Sequence, residues 1–389
     1  MRQTTKPHCS GAALLLILTL FAFFPCTGQQ QSTIKRVTID SSILEKTRTI
    51  DLYIPVSHAH GSAHYPLLVI LDGEDFFKPF TGMLEYYAAI GKCPEMIIAG
   101  IHSRERWHDY TPTKADIPDG TPVPSSGGGP EFMSFIEKEL IPRISSRYRI
   151  TPFHILYGHS IAGLFTVSRL LDPACSFAGF IATSPSLWWD NELAVSTARS
   201  LDPRDFSRQK HLFMTMGSEG PTMLDPAVRF ADAMEQSAPE NLFWHFEQFP
   251  DADHQTMPVK AFLYGIEYLY QGWQIPSQYI EKSLECVTSY YDSLSVKFRT
   301  NLTVPEPVLN RMGYTKLRKK EFSKAIEIFK HAVSAYPQSA NVYDSLGDAY
   351  LRTGDSTAAL INYRRSLELN PENENARNII NMLQAARKQ

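Results

Sequence analysis

The chain has no strongly basic stretch, and 38 Lys and Arg against 41 Asp and Glu leave a formal charge of −3. A surface that tracks a phosphate backbone needs clustered cations, so nucleic acid is excluded as a partner. Cysteine is scarce, five in 389 residues with no repeated spacing. That excludes a disulfide framework and a thiolate metal site. Cys9 and Cys26 fall in an N-terminal segment expected to be removed, and Cys93, Cys175 and Cys286 then read as small buried hydrophobes. One pair of the three could bridge in an oxidising compartment, and the spacing does not choose it. Long apolar runs are missing too: residues 12–24 fall short of the roughly 20 that a membrane helix needs.

What is present begins with an export signal. Arg2 and Lys6 precede the apolar run, and Cys26-Thr27-Gly28 offers small residues ahead of Gln29. This predicts a signal peptide over residues 1–28, cleaved after Gly28. A lipid anchor on Cys26 is the rival, but Phe23-Phe24-Pro25 puts bulk where that signal wants small side chains. The expected destination is the periplasm or the exterior, with no stable membrane span after cleavage.

A chain of this length suggests two domains. Two alternating stretches within residues 34–54 predict an antiparallel pair of strands. Residues 66–71 are continuously apolar, the mark of a strand buried on both faces. Strand patterns at 96–101, 153–157, 179–183, 212–216 and 242–249 then alternate with helical ones at 131–144, 164–171, 225–236 and 259–270. The implied fold class is α/β, a doubly wound and mostly parallel sheet, over residues 29–274. Residues 275–304 read as a helical linker, with one helix over 277–297.

From 305 to 389 the chain repeats every 34 residues: Gly313 and Gly347, Ala325 and Ala359, Phe329 and Tyr363, Pro337 and Pro371. Small and large residues recurring in phase at this period are the pattern of tetratricopeptide repeats. Two repeats and a capping helix make a small all-α domain, short for a free-standing solenoid, so the tail is expected to lean on the preceding segment. It offers a surface for a protein or peptide partner.

Gly158-His159-Ser160-Ile161-Ala162-Gly163 follows one strand directly and opens a helix. A serine at such a tight turn, between small residues that let two backbones approach, is a nucleophile elbow. Gly158 and Ser160 fit G-x-S-x-G, whereas the fifth position is Ala162 and the glycine is delayed to Gly163. A serine hydroxyl needs a base to take its proton, and the base needs a group to orient it. In this layout the acid follows a late strand and the histidine follows the last one.

Glu219, in Gly217-Ser218-Glu219, and His254, in Asp253-His254, meet those conditions. Asp225 and Asp190 are alternative acids, Asp251 and Asp253 are alternative orienting groups, and His159, His211 and His245 read as structural. Backbone N–H groups of Ile161 and Glu74 are the expected oxyanion donors, with Gly73 easing the turn before the second. Trp188 and Trp189 follow a strand and read equally as pocket wall or as core. Arg106 either holds an anionic part of a substrate or forms a structural ion pair.

Together, Tyr65 through Gly73, Asp109-Tyr110-Thr111-Pro112, Gly127-Gly128-Gly129, Gly158-His159-Ser160, Ser184-Pro185-Ser186-Leu187-Trp188-Trp189, Gly217-Ser218-Glu219 and Asp253-His254 span about residues 35–270. In this order they resemble the esterase branch of the α/β-hydrolases that includes enterochelin-type siderophore esterases. The resemblance implies a Ser-His-acid carboxylic-ester hydrolase with no metal and no organic cofactor. By position it points to Ser160, Glu219 and His254, and to the amides of Glu74 and Ile161. Siderophore trilactone, feruloyl, other carbohydrate and formylglutathione esters all occur among such enzymes, so the fold does not choose the substrate. The expectation is an exported serine esterase most like the siderophore trilactone esterases. The alternatives are a carbohydrate esterase, or an inactive hydrolase domain in an interaction protein built on the repeats.

Overall fold

The computed structural model describes residues 32–59, 62–202 and 204–386. The predicted signal peptide, with Cys9 and Cys26, lies outside the described residues. Eight strands form one sheet: β1 (Thr33–Ser41), β2 (Lys46–Ile54), β3 (Tyr65–Leu71), β4 (Ile97–Ile101), β5 (Ile150–His159), β6 (Gly179–Thr183), β7 (Lys210–Met216) and β8 (Leu242–Gln248). Their order is β1-β2-β4-β3-β5-β6-β7-β8. β1, β2 and β4 pair antiparallel, and every pairing from β4 onward is parallel.

Parallel neighbours require crossovers, and crossover helices cover both faces of the sheet. β3, β4, β6 and β7 are accordingly buried along their whole length, while the edge strands β1 and β8 are partly exposed. The period of two sorts the side chains of β3. Leu68 and Ile70 join one apolar cluster with Phe80 and Phe262, and Leu67, Val69 and Leu71 join the other with Phe132 and Phe230.

Two helices differ from the sequence pattern. The one expected at 131–144 comprises Gly129–Phe135, a π-helical turn Ile136–Leu140, and Ile141–Ser145. Pro142 has no N–H for the Lys138 carbonyl, and the ladder widens just ahead of it. The linker helix expected over 277–297 is two helices, Ser277–Glu281 and Leu284–Lys297. The Ser283 hydroxyl accepts the Cys286 N–H at 3.2 Å, an N-cap that starts a second helix where one was expected to continue.

The repeats form five helices, Glu306–Arg318, Phe322–Ala335, Ala340–Arg352, Ser356–Leu369 and Glu374–Ala386. The in-phase glycines have a steric cause. A Cβ on Gly313 would stand 2.4 Å from the Phe329 ring, and one on Gly347 3.0 Å from the Tyr363 ring. The tail does lean on its neighbour: one apolar cluster runs from Leu68 and Phe153 through Tyr270, Val287 and Leu294 to Leu309, Met312 and Ile328. Arg299 ties the linker down by donating to the carbonyls of Ser176 (3.1 Å) and Gln209 (2.7 Å), just ahead of β6 and β7. Cys93, Cys175 and Cys286 are free thiols, and burial pushes Cys93 up to about 12 and Cys175 up to about 11. Among the described residues no helix is long and apolar enough to cross a membrane.

Candidate active site

Ser160 follows the last residue of β5 with φ 61° and ψ −120°, a conformation that a residue with a side chain rarely adopts. The surroundings hold it there. Its N–H donates to the Thr183 carbonyl at 2.9 Å, and its carbonyl accepts from Leu164 at 3.0 Å and Ser186 at 3.1 Å. A Cβ on Gly158 would stand 2.1 Å from the Ala162 carbonyl oxygen, and one on Gly163 3.0 Å from that of Thr183. The close approaches therefore fall at 158 and 163. Ala162 is buried with room for its methyl group, so its departure from the five-residue pattern leaves the turn intact.

At the end of β3, Asp72 rather than Gly73 takes the left-handed conformation, with φ 52°. Gly73 is needed for another reason: a Cβ there would lie 2.4 Å from the backbone of Gly100 on β4. Glu74 is the second residue of helix Gly73–Ala89, and Ile161 is the first of helix Ile161–Leu170. Both N–H groups belong to a first turn and have no intrahelical acceptor.

Glu219 follows β7 and His254 follows β8, and the sheet brings the two together. His254 Nδ1 lies 2.9 Å from Glu219 Oε2. An ionised carboxylate only accepts, so Nδ1 carries a proton, and in the neutral imidazole Nε2 then keeps its lone pair. Burial alone would raise the Glu219 carboxyl. Hydrogen bonds from His254, the Ser184 hydroxyl and the Gly217 N–H outweigh it and hold the group below the ordinary carboxylate range. Ser160, Glu219 and His254 line one open cleft of about 510 Å³, together with Ile161.

Ser184 escaped the sequence reading. It takes φ 41° beyond β6, and its hydroxyl donates to Glu219 Oε1, the carboxylate oxygen that His254 leaves free. The other acids have other partners. Asp190 accepts from Thr113 Oγ1 at 2.7 Å, and Asp225 lines a separate hollow with Arg229. Asp251 pairs with Lys260 at 2.6 Å. Asp253 does not orient His254; it accepts the N–H groups of Gln255 (3.0 Å) and Thr256 (2.8 Å) and shapes the turn before helix Met257–Leu269. His211 and His245 stack on Phe243 and Phe213, away from this cluster. His159 lies against the His254 ring, with centroids 4.5 Å apart.

The two tryptophans divide. Trp188 lines the cleft and donates its indole N–H to Met223 Sδ at 3.1 Å. Trp189 belongs to the core instead: it is 1 % exposed, with its N–H 3.2 Å from Thr113 Oγ1. Trp107, which the sequence reading passed over, supplies a second aromatic to the cleft. Arg106 also lines it, but its guanidinium is engaged bidentately by Asp72 at 2.9 and 3.0 Å. Burial raises the Asp72 carboxyl, and Arg106 works against that rise, so the arginine's first partner is this buried acid.

Glu105, His108 and Asp109 bring possible metal ligands within 4.8 Å of one another. Asp109 already accepts from Arg48 (2.7 Å) and Ser103 (2.6 Å), and Glu105 pairs with Lys46. Cations of the protein neutralise this donor set, and it does not fit a metal.

A central parallel sheet that presents a serine on a strand-to-helix turn, with an acid and a histidine from later strand ends, is the layout of the α/β-hydrolase class. Residues 41–258 match the carboxylic-ester hydrolase family described as "Putative esterase", and the chain belongs to it. Residues 306–372 match the tetratricopeptide repeat. The chain is 33% identical over 147 residues to ferri-bacillibactin esterase BesA of Bacillus subtilis, covering 33% of this chain and 50% of that protein. It is 34% identical over 157 residues to the siderophore triacetylfusarinine C esterase of Aspergillus fumigatus, covering 36% and 50%. The matches thus span about half the length of these curated relatives. An IroE-like serine hydrolase from Shewanella oneidensis superposes with a TM-score of 0.68 at 27% identity, over 77% of this chain and 99% of that one.

Proposed function

We propose that the protein is an exported serine esterase whose substrates are siderophore esters, with Ser160 as nucleophile, His254 as base and Glu219 as the group that orients it. His254 Nε2 takes the proton as Ser160 Oγ attacks the ester carbonyl. The N–H groups of Ile161 and Glu74 receive the developing oxyanion, each worth about 3–4 kcal/mol in enzymes of this kind. The alcohol leaves with the proton from His254, and water, activated by the same imidazole, releases the acid from Ser160. Trp188 and Trp107 flank the acyl or alcohol portion, and Arg106 keeps the floor in place through Asp72.

The observation that carries this reading is the 2.9 Å contact of His254 Nδ1 with Glu219 inside the cleft that also holds Ser160. The substrate class rests on relatives named as siderophore esterases. The domain division at 274/275 and 304/305 and the protein-docking role of the repeats belong to the same proposal.

A hydrolysis panel of a catecholate trilactone, a hydroxamate ester, a feruloyl sugar and 4-nitrophenyl acetate tests it. Ser160→Ala is expected to lower turnover at least about 10³-fold on every ester the wild type cleaves. Wild-type turnover in that variant overturns the nucleophile, and preference for the sugar ester overturns the substrate class. N-terminal sequencing of the exported protein is expected to begin at Gln29.

A further inference from the structure

His159, which precedes the nucleophile in the chain, has no part in the reaction just described, yet its ring is the one that lies against the ring of His254. The centroids are 4.5 Å apart and the planes tilted by 42°. On another side the edge of Phe76 meets it at 5.8 Å and 87°. His159 is the last residue of β5, paired in register with Thr183 of β6, and 8 % exposed. Its carbonyl accepts from Arg106 Nη2 at 3.4 Å. The ring is thus fixed by strand, neighbour and core.

His254 is placed differently. It stands on a loop between β8 and the next helix, with 34% of its side chain exposed, and the ring is hydrogen-bonded through Nδ1. A single hydrogen bond at one edge leaves an imidazole free to swing about that axis, and the swing changes where Nε2 points. Solvent cannot resist that motion on the open side. A fixed ring on the closed side can.

We infer that His159 is a positioning residue for His254, a rigid neutral wall that holds the base in the plane from which Nε2 reaches Ser160. The inference rests on the proposed role of His254. Neutrality matters because His254 becomes a cation when it takes the serine proton. A second cation 4.5 Å away would oppose that transfer, whereas an uncharged aromatic face accepts it. Burial pushes the His159 imidazole down to about 4, and the neighbouring His254 and Arg106 push the same way. The backbone of His254 and the Glu219 carboxylate pull in the opposite direction and do not prevail. Nε2 of His159 is buried without a protein partner, so the ring's polar contact is the one with the backbone of His254, and the rest of the wall acts by shape.

The test uses the full chain and 4-nitrophenyl acetate, with circular dichroism of each variant. His159→Ala is expected to lower kcat about tenfold or more while KM moves less than about twofold, the signature of a misplaced base. His159→Phe restores the wall without a titrating group and is expected to bring kcat back to within about threefold of wild type. A folded His159→Ala variant with wild-type kcat overturns the inference. So does a loss in which KM rises in proportion, or a His159→Phe variant as slow as His159→Ala. If either variant fails to fold, NMR line widths and chemical shifts of the His254 ring in His159→Gln give the same reading. A mobile, solvent-like ring supports the wall, and an unchanged ring overturns it. Absence of any hydrolysis by the wild type would instead count against the proposed function, and the ring measurement stays informative in that case.

Discussion

Ser184 shows how much of the site depends on residues outside the proposed nucleophile, acid and base. Its hydroxyl meets the oxygen of Glu219 that faces away from His254, and without it that oxygen is buried with only a 3.3 Å contact to Gly217 N–H. A hydrogen bond to a charged group is worth about 1.5–3 kcal/mol. Ser184→Ala is therefore expected to cut kcat about tenfold with little change in KM, measured on the best ester of the panel. The partnership was not legible in the sequence, because 35 residues separate the two and nothing local marks the hydroxyl. The placement of Glu219 and His254 after β7 and β8 was legible, since position after a strand end is a property of the chain order. The same limit explains Arg106 and Trp189. Whether an arginine at a strand end meets a substrate or a buried Asp72 depends on a partner 34 positions away. Whether one of two adjacent tryptophans faces the core depends on the turn between them and the next helix.

At the scale of elements, the elbow and the strands were readable because close packing leaves a local imprint. β6 ends where the apolar run ends, and Gly158 and Gly163 stand where a Cβ would strike a neighbouring backbone. Ala162 departs from the family spacing, and its methyl group is accommodated as a buried side chain in the first turn of the helix. Restoring the pattern with Ala162→Gly is expected to leave turnover within about twofold and to lower stability by about 1 kcal/mol, the ordinary cost of glycine in a helix. Gly158→Ala is expected to unfold the protein or abolish turnover, because its Cβ would stand 2.1 Å from a carbonyl oxygen. Thermal melts with parallel assays separate the two outcomes. The missed breaks, at Ser283 and ahead of Pro142, share a cause. A cap and a π-turn interrupt the backbone ladder without interrupting the apolar periodicity, so the pattern runs across them.

For the whole molecule, the repeats cannot be treated as an appendage. Leu309, Met312 and Ile328 are buried in the same cluster as Leu68 and Phe153 of the sheet. At about 2 kcal/mol for each such side chain, removing the three forfeits about 6 kcal/mol. A chain ending at residue 304 is expected to melt about 10 °C lower than the full chain. Ending it at residue 353 is expected to cost less, because the last two helices pack on helix Ala340–Arg352 in a cluster around Ala359, Tyr363 and Leu383 that is separate from the one reaching the sheet. Differential scanning fluorimetry of the two truncations distinguishes them. The period of 34 disclosed the repeats, but not how firmly they are joined to the sheet. That junction is made by aromatic contacts such as Phe153 with Phe298, 5.0 Å between centroids, which no periodicity encodes.

The placement of that junction matters for what the tail could hold. Arg299 and Phe298 grip the sheet where β5, β6 and β7 begin, whereas Ser160, Glu219 and His254 stand where the strands finish. On the proposed docking role, a body gripped by the repeats is tethered at the pole opposite the entrance. Such an arrangement raises the local concentration of the enzyme around its anchor while the doorway stays clear for incoming molecules.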